Sequence, residues 1–314
     1  MQDELSKIIF DKKNLDEKLK SDYWKYYVKQ FKYCFNFNNE DLKTIRHHTD
    51  HITGDFYWRY IPPQVQDFLK LVKVHDELFK NVDPKFLFSD FDNTFGIEHK
   101  GRTVNIDILR YQRVFNEIIN NPISLNHLEN SKTVCEIGAG YGGFLGQISQ
   151  IYDDKKYIII DLPETLFFSY NYLLKKFKKN EILIFNGDNK IDLEKNFKFI
   201  LVPNYLLNEI DLKIDLFLNM ASFQEMTKNN VEEYMEFIKK NRNPMLISYN
   251  RYLNEIANPQ GCDLKIFFNK NFKDFVAEKE IIIDRSNIRK FKNFVKKIIG
   301  KSLNKRNYIL TVLK

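Results

Sequence analysis

Cysteine is scarce in this sequence. Cys34, Cys135 and Cys262 are scattered, and odd in number, across 314 positions. They offer neither a disulfide framework nor the close spacing of a metal site, which predicts a reducing, cytoplasmic setting and no bound metal. Long apolar runs are missing too. No stretch approaches the ~20 residues that cross a bilayer. The charged start Met1-Gln-Asp-Glu-Leu-Ser-Lys7 has no apolar segment of a secretory signal. Internal repeats and low-complexity blocks are absent. Aromatic residues, by contrast, are plentiful: 28 Phe and 17 Tyr in a chain that is 43% apolar. That composition supports a substantial aromatic-rich core, in one large domain or two modest ones.

Acids are missing from one stretch. Between Arg285 and Arg306 stand nine Lys or Arg and no Asp or Glu; setting those nine aside turns the net charge of +7 into −2. The basicity is therefore local. Ile288, Phe291, Phe294, Val295, Ile298 and Ile299 recur there at helical spacing, predicting a basic amphipathic helix near 286–305. The ordinary reading packs its apolar face on the domain and leaves its lysines solvated. The alternative lays it on an anionic membrane surface, as a peripheral contact at the inner face. The slightly acidic remainder argues against a nucleic acid.

Residues 1–125 lack a glycine-rich turn and read as a mostly helical N-terminal cap and substrate region. Helical spacing runs through Leu15–Phe37, Val65–Phe79 and Val104–Ile119. Two loops between them carry unusual chemistry: Arg46-His-His-Thr-Asp-His51, leading into Gly54-Asp-Phe-Tyr-Trp-Arg-Tyr60, and Asp90-Phe-Asp-Asn-Thr-Phe-Gly96. A boundary is expected within 121–131. From Lys132 strands and helices alternate, the signature of an α/β fold with a mostly parallel sheet, so 126–314 reads as a Rossmann-like domain. Strands are expected at Thr133–Ile137, Tyr157–Asp161, Ile182–Phe185, Phe199–Val202, Leu216–Met220 and Met245–Tyr249. Helices start at Tyr141, Pro163 and Thr227. Glu280–Ile283 and Tyr308–Leu313 make a closing antiparallel pair. Either 182–185 or 199–202 is the third core strand.

The most informative stretch is Val134-Cys-Glu-Ile-Gly-Ala-Gly-Tyr-Gly-Gly143. It reads as strand, tight turn and helix start, where glycines let the backbone approach a ligand and free N–H groups face it. About 20 residues on, a second strand ends in Asp161, placed to accept from the hydroxyls of a nucleoside ribose. Gly138, Gly140 and Gly143 fit the dinucleotide spacing; Gly138, Gly140 and Gly142 fit that of methyltransferases. Glu136, two residues before the first glycine, favours the second. A carboxylate sits poorly against a pyrophosphate and well against the free ammonium of S-adenosylmethionine.

Glu136-Ile-Gly-Ala-Gly-Tyr-Gly-Gly143, Asp161-Leu-Pro163 and Asp215-Leu-Phe-Leu-Asn-Met-Ala-Ser-Phe-Gln-Glu-Met226 occur in that order, with Tyr249-Asn-Arg-Tyr252 after the fifth strand. Together they resemble the sugar O-methyltransferase family of bacteria, a branch of the class I S-adenosylmethionine-dependent methyltransferases. The likeness spans about residues 104–255, and Ser222-Phe-Gln-Glu-Met226 is its most specific part. It implies a sheet of about seven strands and methylation of a sugar, nucleotide-sugar or glycan-precursor hydroxyl in surface-polysaccharide biosynthesis. RNA or other small-molecule methyl transfer, and nicotinamide-dependent oxidoreduction, are the rival functions.

In such a site Glu136 and the turn Gly138-Ala139-Gly140-Tyr141-Gly142 hold the methionine end, and Asp161 the ribose. Leu162, Pro203 and Asn204 border the adenine. Asn219, Met220 and Ser222 lie beside the transferring methyl. Gln224 and Glu225 contact the acceptor, with Glu225 as general base; alternatively one of them caps the helix at Thr227. His48, in the cluster with His47 and His51, is the other candidate base. Tyr57, Arg59, Tyr249, Asn250 and Arg251 are candidate acceptor contacts. For Tyr57 and Arg59 a buried junction is an equal reading, and for Arg251 a surface ion pair.

Overall fold

The computed structural model describes residues 2–11, 20–188, 197–241, 244–253, 263–281 and 308–314. The expected basic helix at 286–305 lies outside them, as do residues 12–19 and the end of the strand expected at 280–283.

The N-terminal region is helical, as the periodicity predicts. Helices α1 (Gln2–Ile9), α2 (Asp22–Phe31), α3 (Asp50–Thr53) and α4 (Val65–Phe79) precede a short hairpin of β1 (Ile97–His99) and β2 (Arg102–Val104). Then come α5 (Ile106–Asn120) and α6 (Pro122–Asn130). Helix α5 starts at Ile106 because the Asn105 side chain accepts from the Ile108 N–H at 2.9 Å, an N-cap. The segment expected to hold a boundary is itself a helix. Asn121 caps α6 and Pro122, which has no N–H to lose, opens it.

The sheet contains β3 (Thr133–Ile137), β4 (Lys156–Asp161), β5 (Ile182–Ile184), β6 (Phe199–Pro203), β7 (Leu216–Met220), β8 (Met245–Arg251), β9 (Phe275–Glu280) and β10 (Tyr308–Leu313). Helices α7 (Gly143–Ile151), α8 (Pro163–Leu173), α9 (Lys228–Lys239) and α10 (Leu264–Asn271) accompany it. Strand order is β5-β6-β4-β3-β7-β8-β10-β9. All neighbours are parallel except β10, which runs antiparallel to β8 and β9.

The sheet has eight strands where about seven were expected, because both contenders for the third strand belong to it. β6 pairs directly with β4, and β5 flanks β6 at the edge. The closing pair forms, but its outer strand begins at Phe275, five residues before the expected 280; of the expected span only Glu280 and Ile281 lie among the described residues. Three charged residues end β9, so its alternation is weak, and Ile281-Ile-Ile283 is the more apolar run in the sequence.

Strand alternation splits the core into two layers. Val134, Tyr157, Ile159, Leu201 and Leu218 face one side, with α7, α8 and the N-terminal helices; Cys135, Ile158, Ile160, Val202 and Phe217 face the other, with α9 and α10. Phe31, Ile45, Val72 and Phe115 belong to the same continuous cluster as the first set, so the N-terminal helices pack directly on the sheet. Aromatic pairs carry much of this contact. Phe31 meets Phe168 edge-on at 5.1 Å, Phe35 meets Phe167 at 5.2 Å, and Phe91 stacks on Tyr172 at 4.9 Å. Each such pair contributes about 0.5–1.5 kcal/mol beyond its buried area. The chain leaves β3 toward β4 and later returns to β7 on the other flank. The crevice above β3 and β7 is therefore the switch point where open α/β sheets bind ligands.

Candidate functional site

A pocket opens at that point, at the carboxyl ends of β3, β4 and β7, with about 1160 Å³ of atom-free space, part of it open to solvent. Its floor is the glycine turn. Gly138, Gly140 and Gly142 have φ of +68°, +62° and +78°, a left-handed backbone that L side chains adopt only at a cost. Gly138 also needs its small size: a Cβ there would lie 1.8 Å from Ser222 Oγ. Helix α7 starts at Gly143, two residues after the expected Tyr141, because the left-handed Gly142 acts as its N-cap.

Two buried carboxylates face the pocket. Glu136, 1% exposed, accepts from the Leu145 N–H at 3.1 Å and has no ion pair among the described residues. Burial pushes its carboxyl up to about 8; the Leu145 bond opposes this and nearby Asp161 adds to it. Asp161 accepts from Gly140 N–H and Leu162 N–H, both at 2.7 Å. It therefore ties the glycine turn to the end of β4. Burial raises it to about 6, against the hydrogen bonds from Thr165, Leu162 and Gly140.

Ala139, Gly140, Tyr141, Leu162, Asn204, Met220 and Ser222 line the same pocket, so most of the residues expected around a cofactor meet there. Pro203 pairs with Asp161 in register but is not in the lining. Asn219 is also outside the lining. Its amide donates to Ile137 O at 2.7 Å, and its oxygen accepts from Phe223 N–H and Asn250 Nδ2. It braces β3, β7 and β8 from below. Between it and Ser222, Ala221 has a left-handed φ of +60°, and its N–H donates to Tyr249 O at 2.7 Å. Strain of this kind collects at functional sites.

Glu225 lines the pocket, whereas Gln224 does not. The Gln224 side chain accepts from the Arg251 N–H at 2.8 Å and donates to Tyr308 Oη at 3.2 Å, joining β8 and β10. The cap of α9 is Thr227, which accepts from Asn230 N–H, so neither Gln224 nor Glu225 is spent on it. Burial drives the Glu225 carboxyl up to about 8, with Gln224, Arg251, Trp24 and Arg110 pulling the other way. Tyr249 stacks on Tyr308 at 4.8 Å, Asn250 is fully buried, and the Arg251 guanidinium lies 4.6 Å over the Tyr308 ring. Of these, only Tyr308 reaches the lining.

The remaining wall comes from the N-terminal region. Ser21, the N-cap of α2, Trp24 of α2, Ile52 and Thr53 of α3, and Arg110 and Tyr111 of α5 all line the pocket. No local sequence signal marks them. Behind them Arg46, fully buried, is held by Asp90 (3.3 Å), Asp107 (3.1 Å) and Thr49. Its guanidinium is within 4.3 Å of the Phe95 ring and 3.9 Å of the Tyr141 ring in the glycine turn. Asp107 also holds Arg110 at 3.1 Å. One side chain thus links the N-terminal loops, α5 and the turn.

The histidines are used elsewhere. His47 stacks on Tyr57 at 4.2 Å and bonds Thr94 at 3.1 Å. His48 bonds Tyr33 Oη at 2.8 Å and packs on Phe37. His51 lies beside Asp50 and Tyr27. None of the three lines the pocket, and no group of three metal-ligating side chains occurs among the described residues. Tyr57 is exposed and Arg59 pairs with buried Asp55 at 3.1 Å, both outside the lining. No helix among the described residues is long and apolar enough to cross a membrane.

No family model matches the chain, and no curated protein is detectably similar to it. Solved structures resemble it at low identity. The methyltransferase domain of bacterial CtHen1 is 12% identical, over 67% of this chain and 100% of that one, with a TM-score of 0.40. The PH0226 protein of Pyrococcus horikoshii OT3 is 11% identical, over 76% and 98%, with a TM-score of 0.40. An O-methyltransferase family protein of Burkholderia thailandensis is 13% identical, over 81% and 73%, with a TM-score of 0.36. Likenesses this distant carry no functional argument; the chemistry of the pocket has to.

Proposed function

We propose that the protein is an S-adenosylmethionine-dependent methyltransferase acting on a hydroxyl of a sugar, nucleotide sugar or glycan precursor, in surface-polysaccharide assembly. One observation carries the donor. Glu136 and Asp161 face one pocket across a turn whose left-handed glycines leave it clear of side chains. A buried carboxylate without a cation of its own suits the ammonium of the methionine part. Asp161 keeps lone pairs for ribose hydroxyls after accepting from Gly140 and Leu162. Leu162, Asn204 and Leu207 border the adenine. Asp161 would serve the ribose of either donor, but a pyrophosphate at the turn would meet the Glu136 carboxyl, a poor partner for an anion, which disfavours the nicotinamide alternative.

When bound, the donor supplies an electrophilic methyl carbon on a sulfonium. The chain's own residues orient the acceptor and take its proton. Glu225 is the base: it lines the pocket, and burial holds its carboxyl in the range where a base for neutral pH belongs. Trp24 and Tyr308 bring aromatic side chains to the pocket wall where a sugar would lie, and Arg110 can hold an anionic group beside it. The sugar assignment draws on these residues and on the resemblance in Ser222–Met226. Calorimetry with S-adenosylhomocysteine and NAD tests the donor, and binding of NAD alone ends this proposal. A labelled-methyl assay against nucleotide sugars and glycan extracts, with mass spectrometry of the product, tests the acceptor.

A further inference from the structure

We propose, resting on the donor reading above, that ligand binding is coupled to proton release: the ligand-free pocket holds Glu136 as the neutral acid, and the ligand's ammonium displaces its proton to solvent. The geometry around Glu136 motivates this. The side chain is 1% exposed and accepts from one backbone N–H, that of Leu145, among the described residues. The titratable groups facing it from each packed element are all acids. β4 presents Asp161 and α5 presents Tyr111, while the neighbouring Cys135 thiol points to the opposite face of the sheet. The cations lining the pocket already have partners, Arg110 in Asp107 at 3.1 Å and Lys20 in Glu164 at 2.9 Å. A buried carboxylate beside a second acid and without a cation is more stable with a proton on it. Its carboxyl, pushed up to about 8, agrees.

An ammonium arriving at that position reverses the balance. The O–H bond of the Glu136 carboxyl breaks, its proton passes to the buffer, and the carboxylate pairs with an ammonium that keeps its own three protons. The site then selects for ligand charge. A nucleoside thioether without the amino-acid end brings no compensating cation and releases no proton.

Calorimetry of S-adenosylhomocysteine at pH 7 in phosphate and in Tris tests this. The expected heats differ by close to one buffer ionisation, and the affinity rises about tenfold between pH 6.5 and 7.5, as the linkage of binding to one released proton requires. 5′-Methylthioadenosine should show neither effect, and Glu136→Gln should erase both for S-adenosylhomocysteine. If Glu136→Gln fails to fold, the two ligands on the wild-type protein still decide. Binding of S-adenosylhomocysteine with buffer-independent heat and a flat pH profile overturns the inference and leaves the donor reading standing. Absence of binding overturns both.

Discussion

On the sheet side of the pocket the ligand-facing surface is mainly backbone: the left-handed Gly138 and Gly140, the strand ends of β3 and β4, and two carboxylates placed by those strands, while Gly142, left-handed too, packs behind it against Ile159 and Ser169. On the N-terminal side it is side chain: Trp24, Ile52, Arg110 and Tyr111, from three helices, supported by the buried Arg46 network. The first wall is made within short stretches of sequence. The second exists only because residues 46, 90, 107 and 141 meet in space. A backbone wall should tolerate little change at any of its glycines. A side-chain wall should fail through its keystone and be forgiving at its edges.

Breaking the keystone is expected to have the largest effect. Arg46→Met removes the cation shared by Asp90 and Asp107 and leaves two carboxylates buried, one of them still held by Arg110. It should destabilise the fold by about 3–5 kcal/mol in denaturant titration. A loss under about 1 kcal/mol would show that the network does not hold the N-terminal wall. Glu225→Gln should lower turnover by about 10²–10⁴-fold with S-adenosylhomocysteine affinity unchanged. The pH profile carries the sign. The base works only when ionised, and its carboxyl is raised to about 8, so the rate should climb with pH below about 8 and level off above it. A rate that falls over that range would place the base elsewhere.

Smaller effects sharpen the contrast. Gly138→Ala puts a methyl into Ser222 on a left-handed backbone and should cost about 1–3 kcal/mol in stability. Asp161→Ala should weaken S-adenosylhomocysteine binding by about 1–3 kcal/mol, through lost charged hydrogen bonds and a loosened Gly140. Unchanged affinity would remove Asp161 from the ribose site. His48→Ala, at the edge of the N-terminal wall and outside the pocket, should cost no more than about 1 kcal/mol in stability and leave ligand affinity untouched. A marked loss of affinity would bring the histidine loop back into the site.

Legibility in the sequence followed the same divide. Helix α4, the starts of α8 and α9, and most sheet strands could be placed from periodicity, glycine position and capping residues, because those signals act between near neighbours. Errors arose where non-local pairing decided. The edge strand β5 and its neighbour β6 read alike, and only pairing with β4 told them apart. The outer strand β9 starts at Phe275, five residues ahead of the expected 280, because pairing with β10 recruits 275–279 despite their weak apolar alternation. Among the expected site residues, Asn219, Gln224 and Asn250 carry chemistry suited to a ligand but are consumed by one another and by the backbone. No spacing in the sequence could report that. Trp24 and Arg110 went unremarked, since one aromatic and one arginine on ordinary helices carry no local mark of a pocket.

By itself the sequence determined that a parallel sheet would form, where its central turn would lie, and which carboxylates would end the strands beside it. Backbone dihedrals and strand alternation are properties of a few consecutive residues. The tertiary structure alone decided which polar side chains stayed open to a ligand and which were satisfied inside the protein. A buried donor or acceptor is free or spent according to partners brought from anywhere in the chain, and those partners exist only once the chain has closed around them.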